Sequence, residues 1–399
     1  MYGTLQVLGP EHEFSIVDDK LQPQPIVDRV IKDLHGRIAN TVSLGKVSLG
    51  KELQAHVAEF KANTPFDSPV IFEETMQKAV SNVLDLMHRR YGTRLLGSGM
   101  HPMLLTRNAQ VWKHRDRSLY EALDRIFSLN QHGWLNIQSF QLNLPFKNEQ
   151  EAVKLYNALT NILPYLPAIA ASSPIYESKI GGFRDNRLHF YAVNQSQIPS
   201  ITGDIIPERV RSFEEYEKTT VQRYSEDLAK VNAPRSLLNK EWLNSRGAVI
   251  RFCRKAIEIR IMDEQECIKS DVALSCFIRA LLRGFLQDEE QQSEPVSHAV
   301  LVENLRAVVR LGLDAHVQHP KGRTAKRVCE HLLSIAEKNA SAEEKKYLPT
   351  IKLRIEEGNL SDLILKEVNK KALRTDFDEA VFSVYSSLAD CLERNRVYM

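Results

Sequence analysis

The sequence predicts an α+β fold with an almost wholly helical C-terminal part. Two observations carry this expectation. Segments alternating with a period of two cluster before residue 263. Segments with helical spacing lie between them and then follow one another to the end of the chain. The length of 399 residues permits two or three domains, although a sheet-based enzyme can fill it as one unit. We expect a sheet-and-helix region over residues 1–286 and a helical region over residues 295–399, packed as part of the same domain. Between them, the polar run 287–294 (QDEEQQSE) just before Pro295 reads as a surface loop or lobe boundary.

Leu5–Val17 alternates apolar residues around Glu11 and Glu13. Trp134–Leu144 sets Phe140, Leu142 and Leu144 against Ser139, Gln141 and Asn143. Val249–Asp263 sets Ile257, Ile259 and Ile261 against Glu258 and Arg260. In each, one face packs and the other meets solvent or a site. Pro69–Tyr91 places Met76, Val80, Val83 and Met87 on one helical stripe, and Glu149–Leu163 does the same with Val153, Tyr156, Leu159 and Leu163. Glu208–Val231 reads as one long polar helix. The later helices are expected over Asp271–Leu286, Val296–Leu311, Thr324–Lys338 and Asp376–Arg396.

Lys and Arg total 53 against 51 Asp and Glu, a net charge of +2, which argues against nucleic acid or an anionic membrane as partner. The five cysteines form no C-x-x-C pair, which suits reduced thiols. The N-terminus lacks the basic-then-apolar pattern of a secretion signal, and the apolar run Ile162–Ala171 is short and broken by Pro164 and Pro167. A cytoplasmic protein is expected.

Chemistry-bearing residues fall in five segments. Glu11 and Glu13, two apart on a strand, point the same way and repel unless a cation neutralises them; a hard ion such as Mg²⁺ would. Glu52 and Glu59, seven apart, share a helix face but need a bend to share one side of a strand. The ladder Ser139, Gln141, Asn143 offers amides and a hydroxyl for a base, ribose or amino acid. Glu258 and Arg260 place an acid for metal beside a guanidinium for phosphate oxygens. Ser172-Ser173-Pro174, followed by Gly181, Gly182, Arg184 and Arg187, lets backbone approach an anion. Each has a plainer counterpart: a solvated strand face, surface acids, an ordinary ladder, a structural ion pair, a loop. His316 and His319 could pair on a helix, but no third ligand follows at a useful spacing. No Walker loop, nucleophile elbow or Rossmann glycine fingerprint is present, so nucleotide use would need carboxylate-held metal as its phosphate cradle.

Taken in order, these segments resemble the glutamate–cysteine ligase type 2 family, also called carboxylate–amine ligases. Gly9-Pro10-Glu11-His12-Glu13-Phe14 matches its G-x-E-x-E-F strand, and Glu52, Glu59 and Thr64 match E-x₆-E followed by Thr. Gly97–Pro102 matches a small-residue segment ending in H-P, and Ser172-Ser173-Pro174 with Arg187 matches its S-S-P loop. Ile257–Asp263 matches [VI]-E-x-R-x-x-D, and Leu311–Ala315 matches a later helix segment. The resemblance implies a glutamine-synthetase-like curved, largely antiparallel sheet flanked by helices, holding ATP and Mg²⁺ (or Mn²⁺) on its concave face. It implies Glu11, Glu13, Glu52, Glu59 and Glu258 as metal ligands and Arg260 as stabiliser of the transferring phosphoryl group. Arg187 is the candidate for a phosphate or substrate carboxylate. The implied reaction activates a small-molecule carboxylate, typically glutamate, as an acyl phosphate that an amine or amino acid attacks. Homo-oligomerisation is left open. Two departures stand out. The family's H-V-H-V-G becomes Ser139-Phe140-Gln141-Leu142-Asn143, leaving Gln141 to ligate or to contact the nucleotide. Its W-x-x-R-P becomes Arg246–Phe252, with Arg251 as counterpart. The loss of both histidines suggests one alternative, a non-catalytic nucleotide- or metabolite-binding protein on this fold; a phosphotransferase of related fold is a second.

Overall fold

The computed structural model describes residues 2–287 and 296–399, so the polar break expected at 287–294 lies, Gln287 apart, outside the described residues. One antiparallel sheet forms the centre. Its order is β2 (Thr41–Ser43), β3 (Val47–Lys51), β4 (Val57–Ala62), β1 (Gly9–Asp18), β6 (Ser139–Pro145), β10 (Ala256–Asp263), β9 (Ala248–Arg251). An eighth strand, β5 (Thr93–Leu96), pairs with the second half of β1. Two short hairpins complete the strands: β7 (Ile175–Tyr176) with β8 (Lys179–Ile180), and β11 (His316–His319) with β12 (Gly322–Thr324).

Alternation decides which face is dry. Phe14, Phe60, Phe140, Leu142, Ile257 and Ile259 are fully buried in one core with Phe72, Met76 and Val80 of helix Pro69–Tyr91. Helices Glu149–Ile162 and Ile268–Gln287 pack against the same side. The core continues through Leu301, Val308, Leu332 and Ile351 of the later helices. Helix Pro69–Tyr91 follows the expected bounds because its ends are chemically marked. Ser68 accepts from the Ile71 amide, Pro69 needs no amide partner, and Gly92 closes the helix at φ 61°.

Several expectations are corrected. The single strand expected over Val249–Asp263 is a hairpin that turns after Arg251, with Lys255 at φ 51°. The long helix expected from Glu208 starts only at Phe213, behind the Ser212 cap, and passes through a π-helical stretch at Glu217–Gln222. His316 and His319 sit on β11, not on a helix, and that hairpin interrupts the expected helical run. Strands β2 to β4 carry too few apolar residues to be seen from periodicity. Helices Leu348–Glu357 and Leu360–Ala372 also lay unread between the expected ones.

Candidate active site

Residues paired across an antiparallel ladder project to the same face. The register sets Glu13 opposite Glu59 and Glu11 opposite Lys61, across β1 and β4. It sets Glu11 opposite Gln141, and Asn143 opposite Glu258. Four distant segments therefore deliver their polar residues to one side of the sheet. Glu52 arrives by the bend that seven-residue spacing requires, in the connection between β3 and β4.

A register shift between Ile259 and Met262 adds one residue to β10. Met262 then pairs with Phe140, and Asp263 pairs with Ser139 on the site side, where strict alternation would have turned it away. Asp263 accepts from the Ser172 amide (2.8 Å), the Ser173 hydroxyl (2.7 Å) and Arg187 Nε (2.5 Å). A β-carbon on Gly99 would stand 2.3 Å from the Asp263 carboxyl carbon, and one on Gly97 only 2.2 Å from the Gln265 carbonyl oxygen. The small-residue segment is thus a close approach of backbone. Arg187, expected to meet an anion directly, is almost fully buried, with Nε on Asp263 and Nη2 on the Ile261 carbonyl at 2.8 Å. It still forms part of the cleft wall.

At one end of the face lie Glu13, Glu52 and Glu59. Glu13 accepts from the Ser139 amide (2.8 Å) and from Gln141 Nε2 (3.1 Å). Burial pushes its carboxyl up to about 7, and Glu59 adds to the rise. Glu52 is likewise held at about 7 by burial and the charge of Glu13. Glu59 stands at about 8, with burial first and Glu52 and Glu11 adding to it, although Lys61 Nζ at 2.5 Å opposes the shift.

At the other end lies Glu258, 1 % exposed and caged by three arginines. Arg260 Nε lies 2.5 Å from Oε1, Arg251 Nη1 3.0 Å from Oε2, and Arg254 Nη1 3.2 Å from Oε2. Burial alone would raise this carboxyl, but Arg260, Arg251 and Arg254 together hold it below the usual range. Arg254 also pairs with Glu11, whose Oε1 accepts from Asn143 at 2.8 Å. One guanidinium therefore bridges Glu11 and Glu258. Arg260 is further held by the carbonyls of Asn244 (2.9 Å) and Trp242 (3.2 Å).

A cleft of about 360 Å³ opens on the first end, with Glu13, Glu52, Gln141, Arg187 and Arg260 in its walls. Lys51 also faces it, bonded to Tyr120 and 3.5 Å from Asp116. A recess of about 420 Å³ lies beside Glu11, Lys61, Asn143 and Arg254. Sequence reasoning missed Lys51, Lys61 and Arg254. Lys51 is next to Glu52 and Lys61 is two from Glu59, and that closeness to motif acids was the available signal. Arg254 sits in a turn, where no periodicity points.

The donor set of Glu11, Glu13, Glu52 and Glu59 is all oxygen, and burial, with the neighbouring carboxylates adding to it, raises three of these acids above their ordinary range. Such a group fits a hard divalent cation.

This fold is shared with solved ligases. A glutamate–cysteine ligase from Francisella tularensis, in complex with AMP, superposes with a TM-score of 0.68 at 13% identity, covering 98% of this chain and 90% of that one. A bifunctional glutathione synthetase from Pasteurella multocida superposes at 0.59 and 14% identity, covering 96% of this chain and 52% of that one. The chain belongs to the glutamate–cysteine ligase family 2, which it matches over residues 7–385. An uncharacterized protein of Archaeoglobus fulgidus is 46% identical over 98% of this chain and 100% of its own. A glutamate–cysteine ligase of Haloquadratum walsbyi is 26% identical over 79% of this chain and 80% of its own. Family membership supports the coarse class of an ATP-dependent carboxylate–amine ligase. Among the described residues, no helix is long and apolar enough to cross a membrane.

Proposed function

We propose that this protein activates the side-chain carboxylate of glutamate with ATP, as an acyl phosphate, and transfers the γ-glutamyl group to an amine. The observation that carries the reading is the convergence of Glu13, Glu52 and Arg260 in the walls of one cleft, with Glu59 paired opposite Glu13 across the ladder. A carboxylate and a triphosphate repel, so their reaction requires positive charge on both and exclusion of water more than it requires a covalent nucleophile.

Glu13, Glu52 and Glu59 would hold Mg²⁺ or Mn²⁺ at the cleft end. When bound, such ions screen phosphate oxygens and orient the triphosphate. At the other end Arg254 bridges Glu11 and Glu258, so the positive charge there is a guanidinium of the chain itself. Arg260, locked by Glu258 and two carbonyls, presents fixed positive charge to the transferring phosphoryl group. Lys51 and Arg187 are the cleft cations that suit the carboxylates of the acid substrate. Gln141 orients Glu13 and would meet nucleotide, while Arg251 adds to Arg260 in keeping Glu258 ionised. The γ-carboxylate oxygen attacks the terminal phosphorus and ADP leaves. The amine then attacks the acyl carbon, phosphate leaves, and the amine gives up a proton.

The test is ADP release from Mg²⁺-ATP and glutamate across a panel of amines, with mass spectrometry of the products. A γ-glutamyl amide with stoichiometric ADP is expected. A stable phosphorylated compound without amide would point to phosphotransfer, and no ADP with any combination would point to binding alone.

A further inference from the structure

Behind the site, on the dry side of β1, lies a second polar cluster that the ligase reaction does not use. His12, between Glu11 and Glu13, points into the core and is completely buried. Facing it are Glu264, just past the end of β10, and Asp271, in the first turn of helix Ile268–Gln287, both also with no exposure. His12 Nδ1 lies 3.2 Å from Glu264 Oε1 and 3.4 Å from Asp271 Oδ2. All three ligand atoms lie within 4.8 Å of one another. The rings of Phe14, Phe72 and Phe140 pack around the imidazole at centroid distances of 5.8, 5.8 and 5.0 Å.

The cluster closes only through a proton shared between the two carboxyls or through a cation. Two buried carboxylates share one imidazole, and among the described residues neither pairs with Lys or Arg. One N–H can serve only one of its two facing acceptors well. Neither oxygen of Asp271 has an aligned hydrogen bond, and its nearest polar neighbours are the His12 ring at 3.4 Å and the Glu264 carboxyl. Buried carboxylates are expected to be paired, protonated or metal-bound. A neutral imidazole, two carboxylates and one divalent ion sum to zero charge.

The spacing suits a small ion, and the donor types narrow the choice. Ligand atoms at bond lengths of about 2.0–2.1 Å around a tetrahedral centre stand about 3.3 Å apart, and the two His12 separations are 3.2 and 3.4 Å. A nitrogen donor and only three protein ligands argue against Ca²⁺ or Mg²⁺, which prefer many oxygens or several retained waters. The absence of sulfur argues against a soft ion. We propose that His12, Glu264 and Asp271 bind a divalent first-row transition metal of the zinc type, as a structural ion behind the catalytic strand. The other oxygen of Glu264 accepts from the Glu13 amide at 2.8 Å. β6 leaves β1 at Glu11 and β5 joins it at Ser15, so this amide lies in a gap of the ladder. The ion would fasten β1 to the end of β10 and to helix Ile268–Gln287, fixing the strand that carries Glu11 and Glu13. These would be positioning residues, not catalytic ones.

The test is the metal content of the native full-length chain after gel filtration in EDTA, which strips exposed Mg²⁺. One transition-metal ion per chain is expected, retained in Glu52→Gln and lost in His12→Gln and Asp271→Asn. Because those core variants could fail to fold, wild-type chain is also refolded from denaturant with Co²⁺ alone. The d–d absorption of a four-coordinate site and a raised Tm are expected. A native chain with only trace transition metal and no cobalt spectrum after refolding would overturn the proposal. So would a folded His12→Gln chain that keeps its ion.

Discussion

The two ends of the site face bury carboxylates in opposite ways. Around Glu258 three guanidinia supply the opposite charge from within the chain, and the acid stays ionised. Around Glu13, Glu52 and Glu59 the chain supplies far less, chiefly Lys61, with Lys51 facing the same cleft, and the carboxyls rise to between about 7 and about 8. The first end is complete as a protein structure. The second is electrostatically unfinished, and a bound cation would finish it. Rigid charge thus sits at the Glu258 end, and exchangeable charge would enter at the Glu13 end.

The largest effect should come from the finished end. Arg260→Ala removes charge aimed at the cleft and should lower kcat by about 10²–10³-fold, the usual loss for one preorganised electrostatic group. Circular dichroism should show the fold retained, because Glu258 keeps Arg251 and Arg254. Glu258→Gln and Glu13→Gln then separate the ends by stability. The first leaves three guanidinia without their buried partner and should cost about 3–5 kcal/mol in denaturant unfolding. The second relieves repulsion with Glu59, and in metal-free buffer at pH 8 it should cost nothing or stabilise. Equal losses for both variants would break the comparison.

A subtler consequence concerns pH. Glu13, Glu52 and Glu59 have folded values above their ordinary 4.5, so their contribution to stability is present below that value. It is lost as pH rises through about 7 to 8. In the proposed site Mg²⁺ would bind the ionised forms, so the rise in Tm on adding it should be small at pH 5.5 and grow toward pH 8.5. A shift independent of pH would show that these acids are not its ligands. The smallest effect is expected at Gln141, which holds Glu13 through one hydrogen bond. Gln141→Ala should weaken Mg²⁺ activation by about 10-fold, as loss of an orienting partner does.

Much of this face was legible before any coordinates. Glu11 with Glu13, Glu258 with Arg260, and the Ser139–Asn143 ladder follow from alternation on buried strands, and the structure brings all of them to one side. Glu52 and Glu59 were readable as acids but not as neighbours of Glu13, because strand spacing alone sets them apart until a bend intervenes. The cage around Glu258 was half visible. Arg251 and Arg260 lie in the expected strand, whereas Arg254 depends on a hairpin turn that no alternation marks. Asp263 was readable only as part of a motif, since the bulge that turns it to the site leaves no trace in periodicity. The His12 cluster lay hidden for another reason. Its members are distant in sequence, and each looks like an ordinary residue of a strand, a connection or a first helical turn.

In the proposed reaction the acid-rich end and Arg260 together drive formation of an activated glutamate. Hydroxylamine trapping tests it most directly, with Mg²⁺-ATP and glutamate but no other amine. Wild-type protein is predicted to give γ-glutamyl hydroxamate in step with ADP, with the yield collapsing in Arg260→Ala and requiring more Mg²⁺ in Glu52→Gln. Undiminished hydroxamate in both variants, or ADP release without hydroxamate in the wild type, would contradict it.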